Sequence, residues 1–372
     1  MIHQSTYFSF PQKAVAGLKM GLNLVQKKPQ IFNLNVNCTN ACNQQCPMCN
    51  AELETKDSSF LPAKKYEEYL NALKPYHPAT CTLSGGEPTI IPELPQIIDL
   101  SVKYFPFGVA LNSNFYSGNH RFQDNMTAAL KAGIRISCSF DAFGNAANRQ
   151  RGAKNVEEKT IENMKWVASK KKELGSKSML IVHTVISDIT IDHVEQIFDL
   201  SKELGFEQRI APAINFYYQK SHHPDAPGLK PSAKLKQVLD HALNERGLKQ
   251  NPHFIKGIYA YAKREAPKLC PYTTRPFETH KIFLDPNGDV SLCDRHPIGN
   301  LLENSFEEML KTPIYAQKQK DHENCAGCWM ACFVEPILAI QRHHKKTLAT
   351  SYDKPVFEPQ PNRMVDLPSI QI

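Results

Sequence analysis

The chain has 372 residues, 41% of them hydrophobic and 22% charged, with a formal net charge of +7. That composition excludes a disordered, collagen-like or fibrous chain, and the length allows an α/β barrel with an added small domain. No run approaches the ~20 apolar residues of a membrane span, and the N-terminus lacks the charged start and apolar centre of a secretory signal. The expectation is a cytoplasmic chain with reduced thiols, so its eleven cysteines point to metal or catalysis rather than to a disulfide framework. The positive balance reads mainly as solvated lysine, as in the KKK at 170–172,.

Residues 1–30 precede the first strand and form an N-terminal amphipathic segment. In AVAGLKMGLNLVQKK (14–28), Ala14, Val15, Leu18, Leu22 and Val25 share one helical face, with Lys19, Asn23, Gln26 and Lys27 opposite,. Such a helix is expected to pack on its own domain. A weak membrane-surface contact through residues 14–28 is the alternative, because the polar side is basic.

Strand and helix signals then alternate. IFNLNVN (31–37) has Phe32, Leu34 and Val36 between asparagines; strands follow at 80–85, 108–113, 134–140, 179–187 and 209–216. Helical patterns lie between them at 63–74, 94–105, 123–133, 156–175 and 191–205, with Gly133, Gly175 and Gly205 where helix C-caps belong,. Alternation of this kind implies a parallel sheet, and six units are too few for an eight-fold barrel. The expected fold is therefore α/β, a partial (β/α)6 TIM-like barrel over 31–245. Residues 246–340 read as a small, separate cysteine-rich domain: HKIFLDPNGDVSLC (280–293) is two apolar runs around Asn287-Gly288, a hairpin signal,. A proline-rich, irregular tail occupies 341–372.

Chemistry concentrates first in CNQQCPMC (42–49), spaced C-x3-C-x2-C. Structural zinc wants four protein ligands. Three thiolates on a [4Fe–4S] cluster leave one iron open to a non-protein ligand. A zinc knuckle using Cys38 as fourth ligand is the competing reading; Cys81 and Cys138 lie inside strand patterns and are assigned to the core.

The spacing at Cys42, Cys46 and Cys49 resembles the hallmark of the radical SAM superfamily. LSGGEPT (83–89) resembles the family's GGEP motif, LNSN (111–114) its ribose-side segment, and ISCSFDAFG (136–144) its S-x-D segment. The resemblance covers about residues 31–335, and its motifs fall in order at strand C-terminal ends, where such barrels place their sites. It implies that the three cysteines hold a [4Fe–4S] cluster whose open iron is chelated by S-adenosyl-L-methionine. It further implies cofactor contacts at Gly85, Gly86, Glu87, Pro88, Asn114, Ser139 and Asp141, at Arg151 for the cofactor carboxylate, and at the backbone of Met48, where the family often has an aromatic.

Five cysteines remain: Cys270, Cys293, Cys325, Cys328 and Cys332. Gly288–Cys293 is G-x4-C, and CAGCWMAC (325–332) carries C-x2-C. This resembles the SPASM/twitch extensions of radical SAM enzymes and implies one auxiliary [4Fe–4S] cluster. Cys270, Cys293, Cys325 and Cys328 are the first choice of ligands, with Cys332 able to replace one of them; structural zinc is the alternative. Trp329 is expected to shield the cluster.

The resemblance implies reductive cleavage of the cofactor to a 5′-deoxyadenosyl radical and hydrogen abstraction from an unactivated C–H bond. The electron donor would be a flavodoxin or ferredoxin. The substrate is left as a small metabolite, lipid or peptide. About 30 residues before the first strand is short for a leader-binding domain, which shifts the expectation towards a small molecule or lipid. RNA modification and a non-catalytic iron–sulfur or zinc protein are the other classes. The first lacks the basic–aromatic interleaving of single-strand binders. Candidate substrate contacts are His183, Asn215, Tyr217, Tyr218, Asp294, Arg295 and His296, against the plainer reading of His183 as a satisfied core residue and of Tyr217 and Tyr218 as core or rim, while His222-His223 and His343-His344 read as solvent-facing.

Overall fold

A computed structural model describes residues 8–26, 28–49, 59–214, 227–244, 246, 248–270, 272, 279–293, 297–325 and 327–341. Asn215, Tyr217, Tyr218, Asp294, Arg295, His296 and the paired histidines at 222–223 and 343–344 lie outside these.

The chain begins with α1 (Phe10–Val25), then alternates: β1 (Gln30–Asn37), α2 (Ala63–Leu73), β2 (Thr80–Ser84), α3 (Leu94–Tyr104), β3 (Val109–Ser113), α4 (His120–Lys131) and β4 (Arg135–Ser139). Two helices, α5 (Gly144–Arg151) and α6 (Val156–Glu173), precede β5 (Leu180–Ile186), α7 (Val194–Leu204) and β6 (Glu207–Pro212). The remainder is α8 (Ala233–Asn244), α9 (Pro252–Ala262), β7 (Thr279–Leu284), β8 (Asp289–Ser291), β9 (Pro297–Asn300), α10 (Phe306–Met309), α11 (Pro313–Asn324) and α12 (Ala331–Gln341).

The nine described strands form one sheet, ordered β6-β5-β4-β3-β2-β1-β7-β8-β9. The β1–β6 neighbours pair in parallel, as the alternation requires. The tail hairpin is not set apart from this sheet. β7 pairs with β1 in parallel, Leu34 opposite Ile282 and Val36 opposite Leu284, and only β8 and β9 turn antiparallel. Nothing local in the sequence announces that pairing, because its partners lie some 250 residues apart.

The pleat sorts the strands into two faces. Leu34, Val36, Leu83, Leu111, Ile136 and Val182 are fully buried in the main core beneath the helices. The opposite face carries Asn33, Asn35, Thr80, Thr82, Asn112, Ser137, Ser139 and His183, all only part-buried. A filled (β/α)8 barrel packs its interior with Val, Ile and Leu; this interior is a polar lumen. Phe32 does not follow the expected alternation: a register shift between Ile31 and Asn33 leaves it 38% exposed.

α12 closes the open side of the incomplete barrel. Its Phe333 packs on Phe283 of β7, and its Glu335 reaches Arg209 of β6 at 3.4 Å. Val334, Ile337 and Leu338 join Ile210 and the apolar faces of α8 and α9 in a second core.

α1 reverses the expected orientation. Ala16 and Met20 are part-buried and Asn23 is buried, while Phe10, Val15, Leu18, Leu22 and Val25 are exposed, Leu18 by 67% and Val25 by 83%. No described helix is long and apolar enough to cross a membrane.

Candidate functional site

The three-thiol loop leaves the C-terminal end of β1 and is stitched to the end of β2. The Cys38 N–H donates to Ser84 O at 2.8 Å, Gly86 N–H to Thr39 O at 2.7 Å and Glu87 N–H to Ala41 O at 2.8 Å. These contacts explain the paired glycines. A Cβ on Gly85 (φ +125°) would sit 2.4 Å from Thr39 O, and one on Gly86 2.0 Å from Ala41 O. A third glycine serves the same loop: Gly152 (φ +57°) ends α5, and a Cβ there would lie 1.8 Å from Gln45 O.

Cys42 and Cys46 are half-buried, Cys49 is exposed, and Met48 between them is part-buried. The Cys46 thiol lies 3.4 Å from Arg151 O, and the Cys49 N–H donates to Cys46 O at 2.9 Å. The Asn114 side-chain N–H donates to Asn43 Oδ1 at 2.7 Å and lies 3.9 Å from Cys42 Sγ. Burial pushes the Cys42 and Cys46 thiols up to about 11 and about 12. Cys38 is different: it is fully buried, in the core under the helices, and does not join the loop thiols as a fourth ligand. Cys81 and Cys138 are core residues as expected.

Several carried-over residues satisfy one another. Glu87 is buried; one carboxylate oxygen accepts from the Asn114 N–H at 2.7 Å, the other from Thr89 Oγ1 at 2.6 Å and the Thr89 N–H at 3.0 Å. Burial raises its carboxyl above the ordinary range against the pull of those donors. Pro88 is buried in the turn that follows. Asp141 accepts from the Val185 N–H at 2.8 Å and lies 2.5 Å from an Arg151 terminal nitrogen. The Arg151 fork, expected to face a ligand carboxylate, is thus engaged by Asp141. Its Nε remains buried without a hydrogen-bond partner, as does Nε2 of Gln44 beside the thiols. Ser139 ends β4, part-buried on the lumen face. Three thiols, tight glycines and orphaned N–H donors at strand C-terminal ends fit an iron–sulfur cluster with a polar, charged co-ligand.

A second thiol group gathers round Tyr272. Cys270, Cys293, Cys325 and Cys328 are half-buried and Cys332 is exposed. Burial raises the Tyr272 hydroxyl, helped by Cys293, Cys270, Cys332 and Cys328. Burial likewise pushes Cys328 up to about 12, with Cys270, Cys332 and Cys325 adding to it. Trp329 does not face this group. It is fully buried in the second core, stacks on Phe254 at 5.9 Å and donates its indole N–H to Phe254 O at 2.8 Å.

His322 is the residue that motif reading missed. It is buried, stacks on Tyr272 at 4.8 Å, and its Nε2 lies 2.9 Å from Cys293 Sγ. The spacing H-x2-C at 322–325 was its only sequence signal. His183 lies on the lumen face of β5, where burial and the charges of Arg209, Arg151 and Arg135 hold it neutral, its value lowered to about 4.

Comparison with known proteins agrees with this geometry. Residues 36–201 match the radical SAM superfamily, and residues 276–329 match the SPASM iron–sulfur cluster-binding domain. The chain is 31% identical over 178 residues to 7,8-dihydro-6-hydroxymethylpterin dimethyltransferase of Methanocaldococcus jannaschii, covering 45% of this chain but only 33% of that protein. It is 21% identical to the sporulation killing factor maturation protein SkfB of Bacillus subtilis, over 82% of this chain and 71% of that one. The crystal structure of Streptococcus suis SuiB bound to the precursor peptide SuiA superposes with a TM-score of 0.61 at 14% identity, covering 86% and 77% of the two chains.

The chain therefore carries a radical SAM region over residues 36–201, followed by a SPASM iron–sulfur cluster-binding region over 276–329. A radical SAM domain implies a [4Fe–4S] cluster and S-adenosyl-L-methionine, and a SPASM domain implies auxiliary iron–sulfur clusters.

Proposed function

We propose that Cys42, Cys46 and Cys49 hold the cofactor-binding cluster, and that the enzyme abstracts hydrogen from a C–H bond of a peptide substrate held in the barrel lumen. The observation that carries this reading is the bonding of the three-thiol loop to the Gly85–Glu87 segment, at strand ends that open on a polar lumen. When bound, the cluster and S-adenosylmethionine supply reductive C–S cleavage and a 5′-deoxyadenosyl radical. The chain's part is to position and enclose. Gly85 and Gly86 let the loop backbone approach closely. Asn114 ties Cys42 to the end of β3, and the Asp141–Arg151 pair braces the backbone under Cys46. Cys270, Cys293, Cys325 and Cys328, with Cys332 in reserve, hold the auxiliary cluster.

The peptide is favoured because SuiB, solved bound to a precursor peptide, and SkfB, a sporulation killing factor maturation protein, match most of this chain. The pterin-modifying relative matches less than half of it.

The test begins with anaerobic reconstitution, which should load about eight irons as two cubanes. Cys46→Ala should abolish 5′-deoxyadenosine release on reduction; retained release overturns the loop assignment. A synthetic mixed-sequence peptide library should stimulate release by the wild type, and stimulation by 7,8-dihydro-6-hydroxymethylpterin alone overturns the peptide reading.

One observation supports a location. α1 exposes Leu18, Leu22 and Val25 and contains no acidic residue, with Lys13 and Lys19 on its remaining surface. An apolar stripe with basic flanks suits an anionic lipid surface. Wild type should float with phosphatidylglycerol vesicles and Leu18→Glu should not; equal flotation sinks the idea.

A further inference from the structure

Among the described residues, the lumen as a whole holds more positive charge than its carboxylates neutralise. Arg135 starts β4 on the lumen face, level with Asn35, Thr82 and Ala110 through the strand register. Arg209 and Glu335 form one pair at 3.4 Å, and Arg151 and Asp141 form another at 2.5 Å. Glu207 turns away to Lys249 at 2.6 Å. Among the described residues, Arg135 makes no hydrogen bond and no ion pair, although it is part-buried and feels both Arg209 and Glu335. Lys281 of β7, 5% exposed, is a second such cation. Its ammonium lies 4.7 Å from the Phe333 ring and 5.3 Å from the Phe283 ring, with no ion pair to an acidic side chain among the described residues.

A buried cation without a counter-charge is costly, and a fold keeps one only where something repays it. An arginine fork suits an oxyanion, which it grips through two parallel N–H donors. By strand register Asn33, Thr80, Thr82 and Ala110 lie between these cations. The Asn33 amide donates to Thr80 and Thr82 Oγ1 at 3.0 and 3.4 Å and Thr80 Oγ1 donates to Phe32 O at 3.0 Å, which leaves the Thr82 hydroxyl hydrogen as a donor. The neutral His183 above them adds no competing charge and offers one further N–H.

We propose that the lumen floor is an oxyanion site: Arg135, assisted by Lys281, receives a carboxylate or phosphate carried by the substrate. This rests on the reading that the lumen holds the substrate. The site anchors the substrate's charged end at the floor and presents the rest towards the strand C-terminal ends, where the thiol loop lies.

The test is isothermal titration of the reconstituted, S-adenosylmethionine-loaded enzyme with succinate and, separately, with inorganic phosphate. Saturable binding of at least one probe is expected. Succinate alone assigns a carboxylate and phosphate alone a phosphoryl group. Arg135→Met should weaken binding at least tenfold, Lys281→Met should weaken it less, and Arg135→Lys should restore part of it. Partial rescue by lysine separates lost charge from a misfolded barrel. No saturable binding by wild type, or equal binding by Arg135→Met, overturns the proposal. Neither result bears on the Cys46→Ala test, which reads cofactor cleavage without either probe.

Discussion

The Nε2 nitrogen of His322 lies 2.9 Å from the sulfur of Cys293, under a Tyr272 ring stacked on the imidazole. A thiolate ligand can only accept a hydrogen bond, so with Cys293 on an iron the proton must sit on that nitrogen. Hydrogen bonds to the sulfurs raise a cluster's reduction potential by stabilising the extra electron. His322→Phe should therefore lower the potential of the auxiliary cluster and leave that of the loop cluster unchanged. EPR-monitored redox titration reads both, and two unshifted potentials would refute the role.

Gly152 should be intolerant of any side chain. Its φ of +57° alone costs a substituted residue about 1–2 kcal/mol,. The added Cβ would also drive into Gln45 O, at 1.8 Å, and push the cysteine loop away from Arg151. Gly152→Ala should cut iron from about eight to about four per chain, the auxiliary cluster surviving. Full iron loading of the variant would show that the loop relaxes.

Trp329 anchors the C-x2-C segment to α9 by filling the second core, and Gly257 is where the indole meets the helix backbone, a Cβ there falling 1.9 Å from Cζ2. Trp329→Ala should cost about 3–5 kcal/mol. Gly257→Ala should be destabilising too, although alanine is the better helix former. Denaturant midpoints of the reconstituted protein measure both; an unchanged midpoint for Gly257→Ala would mean that the indole can move aside.

His183 gives the fold an acid-side sensitivity. Its native value is lowered to about 4 by burial and by Arg209, Arg151 and Arg135, against about 6.5 unfolded. The unfolded chain therefore binds more protons between these values. The contribution is fully present above pH 6.5 and is lost as pH falls towards 4, about 2 kcal/mol of it by pH 5. His183→Gln should flatten the stability profile between pH 7 and pH 5. A variant that loses stability as steeply as wild type would show that His183 is not the group responsible.

How much of this could be read beforehand depends on the range of the interaction. The strand expected at 80–85 is Thr80–Ser84 and the helix expected at 63–74 is Ala63–Leu73, because hydrophobic periodicity is a local property of the chain. Loop glycines were legible as motif members, but not as the seat of Thr39 and Ala41. What stayed hidden is long-range: β7 completing the barrel sheet at β1, Asp141 occupying Arg151, and His322 meeting Cys293. The α1 face was misjudged because amphipathicity says which residues segregate, not which side the protein covers. Arg135 and Lys281 are unremarkable in sequence; only the strand pairing and the pleat put both on the lumen face.

That closure also sets a timetable. The floor cations Arg135 and Arg209 are made early, whereas Phe333 and Glu335 arrive with the last described helix. A nascent chain that has folded as far as β6 is an open trough, its guanidinium groups still hydrated. Their desolvation is deferred until the cysteine-rich segment has been synthesised and α12 packs against β7 and β6,. The enclosed reaction space thus comes into being only once the auxiliary-cluster region is in place, so a truncated chain would have the radical-generating loop without the chamber that confines its product.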